Sequence, residues 1–107
     1  MYSTPIPWKV ISAHLGLGIL TEGWTLDAQP EFDTPRSFTS DVIFASPFQT
    51  PPVIHLSLTG FDMDQRDTSR ITLKAENITE TGFRAFVATW ATTRVYSVEF
   101  NWLAIGP

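Results

Sequence analysis

Residues 53–60, Val-Ile-His-Leu-Ser-Leu-Thr-Gly, put Ile54, Leu56 and Leu58 on one side of an extended chain and His55, Ser57 and Thr59 on the other. Successive side chains of a strand point to opposite faces, so strict two-residue alternation marks a strand with one face buried and one wet. The pattern returns at 70–76, where Ile71, Leu73 and Ala75 oppose Arg70, Thr72, Lys74 and Glu76, and at 95–104, where Tyr96, Val98, Phe100 and Trp102 oppose Ser97, Glu99 and Asn101. Residues 14–21 alternate Leu15, Leu17 and Ile19 with Gly16 and Gly18; glycine in a strand often marks the close approach of another backbone. Residues 41–48 and 82–90 carry apolar groups on both sides, which suits strands covered on both faces. No stretch keeps a 3.6-residue apolar period, so helix beyond a turn is not expected. Turn-forming runs at 27–37, 46–52, 60–69 and 77–82 separate the segments. Six short strands with such turns predict an all-β sandwich or barrel. The first dozen residues, with Pro5 and Pro7, read as an arm or an extra strand.

A chain of 107 residues fits one domain. Its 43% apolar and 17% charged content is that of a folded globule, not of a disordered chain. A net charge of -4, with seven Lys and Arg residues and none of them consecutive, argues against nucleic acid, whose phosphates need a clustered basic surface. With no cysteine there is no disulfide, no thiolate metal site and no thiol nucleophile, so packing or association must supply stability. The first twenty residues do not read as a secretory signal, and no run reaches membrane-spanning length. The localisation is left open between cytoplasm and export by a non-standard route.

Catalysis is hard to place on this sequence. A nucleophile needs a base in reach, usually histidine, and only His14 and His55 are present. His14 opens a predicted strand, and His55 lies on a polar strand face with Ser57; both read as surface or subunit-contact residues. Copies of His55 would meet if that face lay on an oligomer axis, giving a pH-sensitive contact. Asp62, Asp64 and Asp67 share one loop and could bind calcium, but the loop lacks the glycine and terminal glutamate of a dedicated site and contains Arg66. The Asn77-Ile-Thr acceptor for glycosylation reads as incidental. No enzyme, cofactor or metal centre is expected.

Asp33, Arg70, Trp90 and Tyr96 are residue types that make sense together for one ligand class. A carboxylate and a guanidinium hold hydroxyl pairs of a pyranose, and an aromatic ring stacks on its C–H-rich face. The competing reading makes Trp90 core, puts Tyr96 on the apolar face of its strand with Val98, and leaves the charges on the surface.

The series "FASPFQTPPVIHLSLTGFD", then Arg70, then "NITETGFRAFVATWATTRVYSVEFNWLAIG" resembles the H-type lectin domain of snail agglutinins and of the discoidin C-terminal domain. The likeness covers about residues 14–106, which assigns 14–107 to the domain and 1–13 to the arm or extra strand. It implies a six-stranded antiparallel β-sandwich assembling as a homotrimer, with sites for N-acetylgalactosamine or galactose at subunit boundaries. By the resemblance, Asp33 holds sugar hydroxyls, Arg70 contacts the same ring, Trp90 lies beside the sugar and Tyr96 near its N-acetyl side. Two departures stand out. Ala91 occupies the position of a hydrogen-bonding histidine, and Glu31 replaces a glycine, which narrows the pocket or adds an acceptor. The subunit-linking cysteines of snail agglutinins are absent, so a trimer here would be noncovalent. The alternatives are a structural trimerisation or attachment module that lost its sugar site, and a carbohydrate-binding module of a larger enzyme.

Overall fold

The computed structural model describes residues 7–28 and 34–107. Its strands are β1 (Lys9–Gly18), β2 (Arg36–Ile43), β3 (Val53–Met63), β4 (Thr72–Glu76), β5 (Gly82–Thr89) and β6 (Val95–Gly106). They form two three-stranded antiparallel sheets, ordered β1-β6-β3 and β2-β5-β4, which face each other as a six-stranded β-sandwich.

The alternation in the sequence becomes the core. β6 is the centre of its sheet and buries Val98, Phe100, Trp102 and Ala104; β5 is the centre of the other and buries Phe83, Ala85 and Val87. Full burial of a side chain such as Phe100 stabilises by about 1.5–3 kcal/mol. The core is closed at one end by Phe44, Phe48, Phe83 and Trp102, whose neighbouring rings lie 5.2–6.1 Å apart. Near the other end Trp24 packs on Phe38 at 5.4 Å and donates its indole N–H to the Val95 carbonyl at 2.9 Å.

Several boundaries differ from the expected ones. β1 starts at Lys9, so His14 sits within the strand and does not open it. Lys9 pairs with Gly106, donates to Ser46 Oγ at 2.8 Å and to the Pro47 carbonyl, and sits 4.6 Å above the Phe48 ring. β2 starts at Arg36, inside the expected turn, because Phe38 points inward opposite Val87 while Ser37, Thr39 and Asp41 face out. β3 runs on to Met63 through two register shifts, after Leu58 and after Asp62. An irregularity of this kind inserts a residue into one strand and re-aims the side chains beside it. The second shift lies opposite Tyr96, so the inward phase passes from Val95 to Val98, and Tyr96 is half-buried instead of lying squarely with the apolar row.

The two outer faces differ in character. On β2-β5-β4, Arg84 pairs with Asp41 at 3.0 Å and Lys74 lies 4.7 Å over the Phe86 ring, while Ile43 is 75% exposed at the end of β2. On β1-β6-β3, Val10 (61% exposed), Ile105 and Val53 (66% exposed) form one apolar row across all three strands. Farther along this face His14 meets Asn101 Oδ1 at 3.0 Å and Glu99 Oε2 at 3.2 Å.

Antiparallel pairing sends three connections to one end of the sandwich. These are β1 to β2, β3 to β4 and β5 to β6, since Gly18, Met63 and Val95 lie together in one sheet and Arg36, Thr72 and Thr89 in the other.

Candidate functional site

Arg70 lies two residues before β4, Trp90 and Ala91 follow β5, and Tyr96 is the second residue of β6, so all four candidates occupy this loop-bearing end. Glu31 and Asp33 lie outside the described residues.

The turn between β5 and β6 is the hub. Thr93, 1% exposed, donates to the Thr68 carbonyl at 2.5 Å and accepts from Arg70 Nη1 at 2.9 Å, while Thr89 donates to the Arg70 carbonyl at 2.6 Å. The same Nη1 lies 3.7 Å from Asp67 Oδ1. Arg70 is thereby held by a hydroxyl, a carboxylate and its own backbone, which limits the rotamers of a long side chain and aims its head. Trp90 is 42% exposed, which overturns the reading of this ring as core. Ala91 has φ 56°, a left-handed conformation uncommon for any residue but glycine, asparagine or aspartate. Its methyl group offers no hydrogen bond, but its carbonyl accepts from Arg36 Nη2 at 3.0 Å.

Tyr96 donates its hydroxyl to Asp64 Oδ2 at 3.3 Å, and Arg94 lies 5.8 Å over its ring. Arg66 binds the Asp64 carboxylate with two guanidinium N–H groups at 2.9 and 2.5 Å and with its backbone N–H at 3.0 Å. These bonds from Arg66, its side chain first, hold the Asp64 carboxyl well below the usual carboxylate range. Asp67 is also held low, by a hydrogen bond from Thr92 first and by the Thr68 N–H next. The acidic loop thus spends Asp64 and Asp67 on separate protein partners. Among the described residues no group of three or more His, Cys, Asp or Glu side chains could hold a metal ion.

Beside Tyr96 an open groove of about 410 Å³ runs over the outer face of β1-β6-β3, floored by Gly16, Gly18 and Ser97 and walled by Asp62 and Glu99. Of the described candidates only Tyr96 lines it; Arg70, Trp90 and Ala91 do not. Leu20, at its lip, is 99% exposed. Gly18 must be glycine, since a Cβ there would meet the Tyr96 carbonyl at 2.6 Å, whereas a Cβ on Gly16 would meet nothing within 4 Å.

Sequence reasoning passed over Arg36, Arg94, Thr93 and Trp24. The two arginines bond mainly to backbone carbonyls, which leave no trace in residue identity, and Trp24 sits between the alternating segments.

The family model of the H-type lectin domain matches residues 39–105. The chain belongs to the H-type lectin domain family. The lectin domain resembles discoidin II from Dictyostelium discoideum in two solved structures. The wild-type structure has TM-score 0.78 and the native recombinant one 0.76, each at 22% identity and over 94% of this chain, but over only 37% and 39% of the discoidin chain. A curated relative, "ATP synthase subunits region ORF 7" of Fuscovulum blasticum, is 43% identical over 72 residues, 67% of this chain and 63% of that protein's length. The chain therefore spans less than two thirds of the relatives it matches. Family membership supports a carbohydrate-binding role in general and a domain that is not an enzyme. No helix among the described residues is long and apolar enough to cross a membrane.

Proposed function

We propose that this lectin domain binds glycans bearing N-acetylgalactosamine or galactose through weak sites at the subunit boundaries of a homotrimer. The observation that carries the reading is the gathering of Arg70, Trp90 and Tyr96 around one turn, with the Trp90 ring open to solvent and Arg70 braced by Thr93 and Asp67. Trp90 supplies the stacking face for the sugar, Arg70 its charged donors and Tyr96 an amphipathic edge near the N-acetyl group. Asp33 provides the carboxylate that takes sugar hydroxyls, and Glu31 narrows the pocket or adds an acceptor beside it. Ala91 gives no side-chain bond, which loosens the preference among galactose-type sugars. The lectin domain proper takes in the whole of β1, so residues 9–13, expected as part of an arm or extra strand, belong to the sandwich.

Association is favoured by the contrast between the two outer faces. The face of β2-β5-β4 carries the Arg84–Asp41 pair and exposes Ile43 at one strand end, whereas Val10, Ile105 and Val53 form an apolar row across all three strands of β1-β6-β3. Covering that row in a trimer removes apolar surface from water at about 25 cal/mol per Å². It also supplies a reason for Gly16, which costs strand stability yet makes room for nothing within its own chain. A single sugar site is shallow, because a solvated sugar gives up good hydrogen bonds to water. Three such sites at fixed spacing gain avidity of about 10²–10⁴ on a glycan-bearing surface.

A second reading, a trimerisation or attachment module without a sugar site, is favoured by Arg70 Nη1 being occupied already and by Ala91 lacking a polar group. Solution mass followed by calorimetric titration with N-acetylgalactosamine and galactose separates the two. A trimer that binds either sugar is a lectin; a trimer silent to both and to a glycan array is the module.

A further inference from the structure

Arg36 opens β2 and turns its guanidinium back over the loop-bearing end. Nη1 donates to the carbonyls of Leu26 at 3.1 Å and Ala28 at 2.9 Å, Nη2 to that of Ala91 at 3.0 Å, and Nε to that of Thr34 at 3.3 Å. One side chain thus joins the segment after β1, the start of β2 and the β5–β6 turn. A guanidinium carries five donors in a rigid planar fork, and a lysine ammonium cannot reproduce that fork.

The segment after β1 and the β5–β6 connection are also joined by three other bonds, from Arg94 Nε to the Asp27 carbonyl at 2.7 Å, from the Val95 N–H to the Leu26 carbonyl at 2.8 Å, and from the Trp24 indole to the Val95 carbonyl. These three hold residues 94–95, at the base of the turn. The Arg36 bond is the one that reaches Ala91, the residue in the left-handed conformation immediately after Trp90. A turn bent at an alanine with φ 56° needs such a hold, because alanine rarely adopts that backbone unaided.

We infer that Arg36 is a positioning residue, clamping the turn that carries Trp90 and Ala91 so that the sugar-stacking face is set before a ligand arrives. The inference rests on the lectin reading for its functional consequence. A weak, shallow site gains most from such preorganisation, since any ordering left to the moment of binding is subtracted from its affinity.

The test is Arg36→Lys, which keeps the charge and loses the fork. Three readouts are compared with the wild type: the carbonyl carbon-13 line of Ala91, which accepts the Arg36 bond, the fluorine NMR line of Trp90 in 5-fluorotryptophan-labelled protein, assigned with Trp90→Phe, and affinity for N-acetylgalactosamine and galactose. The expected result is a shifted Ala91 carbonyl line, a shifted or broadened Trp90 line with the Trp102 line in place, unchanged amide exchange over Phe100–Ala104, and at least tenfold weaker sugar binding. A residue needed only for overall stability would instead quicken exchange across β6. Unchanged Ala91 and Trp90 lines, or shifted lines with sugar affinity intact, overturn the inference. If the wild type itself binds neither sugar, the lectin reading fails, while the two lines still decide the clamp. If the variant does not fold, the wild type decides: a coupling through the hydrogen bond between the Arg36 guanidinium and the Ala91 carbonyl supports the clamp, and its absence refutes it.

Discussion

The Tyr96 hydroxyl donates to Asp64 Oδ2 at 3.3 Å, onto a carboxylate already gripped by Arg66 from the opposite sign of charge. The tyrosine proposed to face the sugar is therefore oriented through an acid that its own loop keeps ionised. Because Asp64 and Asp67 both titrate below their unfolded values, their contribution is fully present above the unfolded carboxylate pKa of about 3.9 and is lost as pH falls through the folded values. Stability of the wild type to urea should fall as pH drops below about 4, and Asp64→Asn should flatten that slope. A slope unchanged in the variant would separate Asp64 from the acid sensitivity.

Trp90→Ala removes a ring that is 42% exposed, so its folding cost is that of a partly buried ring, about 1–3 kcal/mol, and the subunit should still fold. Loss of the stacking face should weaken galactose-type sugars at least tenfold with solution mass unchanged. Calorimetry and sedimentation on one sample check both halves; a drop in mass would move Trp90 from the sugar to the subunit contact.

Thr93→Val keeps shape and deletes a hydroxyl buried between the Thr68 carbonyl and Arg70. Two partners are left unmet, a change that costs about 1–3 kcal/mol. Thr93→Ser should restore both stability and sugar affinity. Denaturant midpoints across the three proteins make the comparison, and a serine variant no better than valine would place the effect in the lost methyl group.

Two glycines give opposite expectations. A Cβ at Gly82 would come 2.1 Å from the Val42 carbonyl, so Gly82→Ala should destabilise the subunit by about 1–3 kcal/mol. A Cβ on Gly16 meets nothing within 4 Å in its own chain, so Gly16→Val should leave subunit folding intact while shifting the sedimentation mass from trimer toward monomer. A Gly16→Val protein of unaltered mass would remove the outer face of β1-β6-β3 from the assembly.

Legibility followed burial. β3 and β6 are readable because Ile54 and Leu56, then Val98, Phe100 and Trp102, alternate with polar outward residues, whereas Leu58, expected on the buried side, is 40% exposed at the first register shift. β2 hid its beginning because only Phe38 announces an apolar face between Arg36 and Asp41, amid residues that also form turns. Lys9 to Ala13 read only as part of an arm or an extra strand for a similar reason, since Pro5 and Pro7 precede them and their partner, β6, lies about ninety residues away. Within the site, side chains with a chemical signature, Arg70, Trp90 and Tyr96, could be singled out from residue type and resemblance. Arg36 could not, because a cation bonded to carbonyls has no complementary residue to betray it.

The pairing of Lys9 with Gly106 brings the first and last strand residues side by side at the pole opposite the Trp90 turn. These two strand ends therefore leave the pole that carries Arg70 and Trp90 free of both outermost strand residues, and a glycan binding at the proposed site would approach past loops alone.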